Sequence, residues 1–243
     1  MFECFKNLFK TKKIIPEPRK NPEGNNVPIP DPLIHRLDPK DSPTKLSDIP
    51  WKYPHNFKYV VDPDGGKTLL KTKGSIPVGV VLHHTATYNL NSTIQYLQEN
   101  AVDIHFLIGK AGEIVQMVPC NRNASHAGVS KWGQYTNLND YFVGIEVVNI
   151  GPLEKRENGK YYDCYGHIYT GPIRERNALG YKYWVPFTDK QEESLKKLVK
   201  WLVGTYKIDP KNIVGHYECA PKRKIDPIGG LSMTMDEFRS FLK

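Results

Sequence analysis

The chain has 243 residues, 39% hydrophobic and 25% charged, with a formal net charge of +8. That length suits one domain with an extension and can bury a core without staples. Its four cysteines, Cys4, Cys120, Cys164 and Cys219, form no CxxC pair, which nearly excludes a structural zinc knuckle and argues against a disulfide framework. The basic balance favours an anionic partner, whether nucleic acid, a membrane surface or an acidic polymer.

The start, MFECFKNLFKTKK, lacks the long apolar region and small-residue cleavage site of an export signal. Phe2, Phe5 and Phe9 could share one face of a short helix, a weak contact for a membrane or partner, or form a frayed terminus. No run approaches the ~20 apolar residues of a membrane span. Residues 1–50 are rich in Pro, Asn, Asp and Lys, as in IIPEPRKNPEGNNVPIPDP, and predict an extended arm. The folded unit is expected over 51–243. FKYVVDPDGGKTLL predicts a hairpin turning at Asp64-Gly65-Gly66. PVGVVLHHTA is a short apolar run ending in polar residues, a strand buried on both faces. STIQYLQEN predicts a helix with Ser92 near its cap, and IHFLIGKAGEIVQMVP two strands around Lys110-Ala111-Gly112. YFVGIEVVNI is another buried strand. Residues 151–186 show no clear period and are expected to be a surface insertion near the working face. In FTDKQEESLKKLVKWLVGTY, Leu195, Leu198, Val199, Leu202, Val203 and Tyr206 recur at helical spacing behind a Thr188/Gln191 capping box. Thr234 and Glu237 form a second such box. Strands alternating with helices predict an α/β fold with a central sheet.

Several residues carry chemistry. His83 and His84 sit where an apolar strand turns polar, and on a strand they point to opposite faces, so one of them would enter a given site. His216 follows another short apolar segment, and Asp226 lies ten residues later beside Lys224. Two histidines and one carboxylate, with water fourth, suit catalytic zinc; hydrogen-bonded structural histidines and a turn-forming Asp suit the same residues. Glu146 stands inside an apolar strand, opposite in face to Ile145 and Val147. A buried carboxylate costs several kcal/mol unless it is paired or coordinates something.

VVLHHTAT, HFLIGKAGEIVQMVP, ASHAGVSKW, LNDYFVGIEVVN and NIVGHYECAPKRKIDP occur in that order. Together they resemble the zinc-dependent N-acetylmuramoyl-L-alanine amidases of type 2, relatives of the peptidoglycan recognition proteins, over roughly Val78 to Pro227. The resemblance implies a single domain with a central mixed β-sheet flanked by helices, and Zn2+ held by His83, His216 and Asp226. It implies Glu146 and Lys224 as catalytic groups, His126 along the substrate groove, and Asn139 on the groove side. Some relatives use cysteine as third ligand at a shorter spacing, which here falls on Lys224; Cys219 and Glu218 are then bystanders.

The implied reaction is hydrolysis of the amide between N-acetylmuramic acid and L-alanine of the stem peptide, in wall lysis or turnover. Peptidoglycan or muropeptide is the expected substrate, for a monomer made in the cytoplasm and acting at the wall, as a bacteriolytic phage endolysin or virion enzyme, or in cytosolic recycling. The tyrosines of the insertion, with Trp184, either line the groove or anchor the loop. The alternative is a non-catalytic peptidoglycan-binding module. Nucleic-acid binding is not expected, since no helix-turn-helix or aromatic-basic RNA motif occurs.

Overall fold

The computed structural model describes residues 57–59, 68–100 and 102–242, with backbone alone at 57–59 and 98–100. The arm over 1–50, the phenylalanine face at its start and the Asp64-Gly65-Gly66 turn lie outside the described residues.

A six-stranded mixed sheet organises the chain, as the sequence predicts. Its strands are β1 (Phe57–Tyr59), β2 (Gly79–His84), β3 (Phe106–Ile108), β4 (Ile114–Gln116), β7 (Phe142–Val147) and β13 (Ile213–Gly215), in the order β1-β4-β3-β7-β2-β13. β3, β7, β2 and β13 run parallel; β4 pairs antiparallel with β3 through the expected turn. The apolar runs that lack alternation are the central strands: every residue of β2 is buried, as a sheet covered on both faces requires.

Side-chain parity sorts the two faces. Val80 and Leu82 of β2, Val143, Ile145 and Val147 of β7, and Ile213 of β13 share one core cluster. They meet Leu195, Leu198, Val199 and Leu202 of α2 (Asp189–Tyr206) and Phe238 of α4 (Met235–Phe241). Each such side chain contributes roughly 1.5–3 kcal/mol of apolar transfer. The opposite face carries Val81, Phe142 and Val214, with Ala127 and Leu138 packed on them. Farther along that side, Ile94 and Leu97 of α1 (Leu90–Asn100) cover Leu107 and Val115.

Both predicted capping boxes are present. At α2, Thr188 Oγ1 accepts from Gln191 N at 3.1 Å and Gln191 Oε1 accepts from Thr188 N at 3.0 Å. Thr188 Oγ1 also donates to the Lys110 carbonyl at 2.9 Å, joining the helix start to the β3–β4 turn. Thr188→Ala is therefore expected to cost about 1–2 kcal/mol of stability; an unchanged urea midpoint would show that the cap contributes nothing. For α1 the expected cap is corrected. The helix begins before Ser92, and Asn89 Oδ1 accepts from Asn91 N at 2.8 Å and Ser92 N at 3.2 Å. Asn89 stands one residue outside the helix and so reaches the unpaired amides first.

The stretch without a clear period forms a second sheet. β8 (Pro152–Lys155), β9 (Tyr161–Tyr162), β10 (Ile168–Tyr169), β11 (Arg174–Ala178) and β12 (Tyr181–Trp184) pair antiparallel in the order β10-β9-β8-β12-β11. Trp184 is an anchor: it is fully buried, donates from Nε1 to the Arg176 carbonyl at 2.8 Å, and lies so close to Gly229 that a Cβ there would meet its ring at 1.8 Å. Tyr161, Tyr169 and Tyr183 pack around Ile150, Leu153 and Val185. Arg174 donates to the Gly230 carbonyl at 2.6 Å and Arg176 to that of Ile228 at 2.8 Å. The insertion thus braces the segment that follows Asp226. Two further short strands, β5 (Lys131–Trp132) and β6 (Tyr135–Thr136), make a separate hairpin.

Candidate metal centre

The face opposite α2 becomes polar at the carboxyl ends of β7, β2 and β13. His83 shares parity with Val81, Glu146 with Phe142 and Gly144, and His216 with Val214. His83 and Glu146 are register partners across β2 and β7. Three adjacent parallel strands therefore deliver two imidazoles and a carboxylate to one place, at the strand ends where open α/β sheets carry their sites. His84 falls on the other face, buried beneath Gly151, where a Cβ would come 2.7 Å from its Nε2.

Asp226 arrives from the loop after β13. The chain leaves β13 into α3 (His216–Cys219), and Tyr217 N donates back to the Asp226 carbonyl at 3.0 Å, which folds the loop over the strand end. Glu218 accepts from Gly215 N at 2.8 Å and pairs with Arg239 at 3.0 Å, so it serves the fold. Cys219 is buried, its Sγ lies 3.5 Å from the His216 carbonyl, and it is not among the three groups that converge.

His83 Nδ1 lies 2.8 Å from His216 Nδ1 and 3.2 Å from Asp226 Oδ2, and His216 Nδ1 lies 3.0 Å from the same oxygen. All three residues are buried. His216 Nε2 sits 3.1 Å from the Ala127 carbonyl, which can only accept, so its proton is on Nε2 and Nδ1 offers a lone pair inward. Such a convergence of lone pairs calls for a positive charge at its centre. The spacing suits one: a tetrahedral ion with ligand bonds of ~2.0–2.1 Å has ligand–ligand edges of about 3.3 Å. Electrostatics agree. Burial, then the neighbouring His216, pushes His83 down to about 3, favouring the neutral ring a metal needs. Burial opposes ionisation of Asp226, yet the adjoining histidines outweigh it and hold the carboxyl well below its usual range.

Glu146 and Lys224 flank this cluster. Glu146 Oε2 is enclosed without a hydrogen-bond partner. Its carboxyl is raised well above the ordinary range by burial and then by Asp226, with Lys224 opposing. Burial lowers Lys224, against the pull of Asp226 and Glu146. A carboxyl that is costly to ionise is able to hold or take up a proton, and an ammonium beside it is able to offset negative charge.

His126 and Asn139 are close by. His126 Nδ1 is 3.0 Å from His83 Nε2, and His126 Nε2 is 3.2 Å from the Phe142 carbonyl. Asn139 Oδ1 accepts from the backbone of His126 at 3.1 Å and Ala127 at 2.7 Å. The sequence reading missed Arg223, whose Nη2 donates to the carbonyls of Ala127 at 2.6 Å and Val129 at 2.8 Å, holding the loop against His216. One cation in a basic loop carries no sequence signal for such a role.

Comparison with known proteins places this geometry among relatives. The family described as N-acetylmuramoyl-L-alanine amidase (Amidase_2) matches residues 73–229. The chain is 33% identical over 156 residues to the N-acetylmuramoyl-L-alanine amidase AmiD of Escherichia coli K12, covering 61% of this chain and 48% of AmiD. It is 32% identical over 127 residues to the 1,6-anhydro-N-acetylmuramyl-L-alanine amidase AmpD of Enterobacter cloacae, covering 52% and 51%. The chain thus spans about half the length of these curated relatives. A solved structure of E. coli AmiD with the substrate anhydro-N-acetylmuramic acid-L-Ala-D-gamma-Glu-L-Lys superposes with a TM-score of 0.50 at 32% identity, covering 65% of this chain and 54% of that one.

Proposed function

The chain belongs to the N-acetylmuramoyl-L-alanine amidase family of type 2, and from that premise we propose that it is a zinc hydrolase cutting the amide between N-acetylmuramic acid and L-alanine of the peptidoglycan stem. The observation that carries the reading is the convergence of His83, His216 and Asp226 within 4.8 Å of one another, beside the enclosed Oε2 of Glu146 and the buried Lys224. A zinc ion held by these three would polarise the amide carbonyl and lower the pKa of a bound water towards ~7. Glu146 would take the proton from the attacking water and later deliver it to the departing alanine nitrogen. Lys224 would stand as a fixed positive charge for the developing oxyanion.

The relatives' names support a muramyl-peptide substrate, and the AmiD complex supports a site that accepts an anhydro-muropeptide. The net charge of +8 favours contact with the anionic wall itself, and action there as a lysin or virion enzyme, as a monomer, is part of the same proposal. No helix among the described residues is long and apolar enough to cross a membrane.

The test is release of free L-alanine amino groups from purified peptidoglycan and, separately, from soluble anhydro-muropeptide. Release from either is expected, abolished by a chelator and restored by added zinc. Wall binding with no release from either substrate would replace the enzyme by a binding module. Release only from the soluble fragment would keep the amidase and remove the lytic role.

A further inference from the structure

His83 can serve the centre only if its proton sits on Nε2, leaving Nδ1 bare. What sets that tautomer is visible two residues out. The Phe142 carbonyl can only accept, so His126, 3.2 Å away at Nε2, carries its proton there. The other nitrogen of that ring is then an acceptor, and it faces His83 Nε2 at 3.0 Å. His83 must donate along this contact, and its Nδ1 is left bare towards His216 and Asp226.

The ring of His126 is seated where it has little freedom to turn away. It packs on Gly144, where a Cβ would come 2.5 Å from its Cγ, so the glycine inside an otherwise bulky strand makes the room it occupies. Its edge contacts are His83, with centroids 5.1 Å apart, and His105 at 5.6 Å. His105 cannot compete for protons: its Nδ1 accepts from Gly144 N at 3.0 Å and its Nε2 lies 2.9 Å from the Arg122 carbonyl. From outside, Asn139 Oδ1 grips the backbone of residues 126 and 127.

We infer that His126 is a positioning residue for the metal centre: it accepts the Nε2 proton of His83 and holds that ring in the tautomer whose Nδ1 can bind a cation. The inference rests on reading the cluster as a zinc site. It revises the expectation that His126 serves as a substrate contact, because both of its ring nitrogens are spent inside the protein. Asn139 supports it through the backbone.

The experiment is zinc affinity of the full chain, measured by competition with a chromophoric chelator. His126→Leu, which keeps bulk but removes the acceptor, is expected to bind zinc about 10–100-fold more weakly, the usual effect of losing an outer-shell partner. His126→Asn, whose Oδ1 can stand near the lost Nδ1, should recover most of that affinity. With zinc at saturation the KM for muropeptide should stay close to wild type in both. Should the leucine variant fail to fold, Asn139→Ala gives a smaller loss of zinc affinity in the same direction. Wild-type zinc affinity in His126→Leu, or in Asn139→Ala if that variant stands in for it, would overturn the inference. So would unchanged zinc affinity with a raised KM, which is the mark of a substrate contact. A wild-type chain that binds no zinc would instead remove the metal reading on which the inference stands.

Discussion

Glu146→Gln is expected to retain zinc and lose about 10²–10⁴-fold in turnover, the range of a general base removed. The amide keeps the shape of the carboxylate and a polar group in the same enclosed position, but it cannot accept a proton. The isosteric change isolates that one property, since Oε2 has no hydrogen-bond partner to lose. Lys224→Ala should also keep the metal and lose about 10²–10³-fold, because the charge aimed at the oxyanion is gone while the ligand set is intact. Zinc content and turnover must be read on the same samples. Near-wild-type turnover in either variant would remove that residue from the chemistry, and loss of zinc would move it into the ligand set.

Asp226→Ala should fail in the opposite manner, losing stoichiometric zinc and with it all measurable release. The substitution removes the carboxylate and leaves two buried imidazoles with their Nδ1 atoms 2.8 Å apart. Their lone pairs then face each other with no anion to help hold a cation between them. A thermal readout separates this from a general loss of structure. A ligand at a hundred times its Kd stabilises the folded state by ~2.7 kcal/mol, worth about 5–10 °C in Tm for a domain of this size. Wild-type protein should show that zinc-dependent rise and Asp226→Ala should not, and His83→Ala should behave alike. A variant that still melts higher with zinc and holds one equivalent would refute the ligand assignment.

Much of the architecture was legible because it is written in local pattern. A helix with one apolar stripe and a Thr188/Gln191 box needs no tertiary information, nor do apolar runs with no alternation, which only a doubly covered sheet accommodates. The oddity of Glu146 was legible for the same reason: a carboxylate in an apolar strand is a local contradiction that must be resolved somewhere. Other features were not. The strands of the second sheet are two to five residues long, too short for a period of two to declare itself, and they hold together through pairing with each other and through Trp184 seated on Gly229. The cap of α1 was misplaced because Asn89 and Ser92 are both good caps, and the actual helix start decides between them.

At the candidate metal centre the division is sharper. Residue type and strand parity were local facts, so the chain alone set His83 and His84 on opposite faces and Glu146 opposite Ile145 and Val147, while the choice of His83 and the roles of His216, Asp226 and Lys224 came from the resemblance. The convergence itself depends on strand order: β7, β2 and β13 lie side by side, so groups 133 and 143 residues apart come within hydrogen-bond distance. The tautomer of His83 depends on more distant structure still, on a Phe142 carbonyl, the ring of His126 and the space left by Gly144. A proton goes to whichever nitrogen meets an acceptor, and which acceptor meets it is settled by packing in three dimensions.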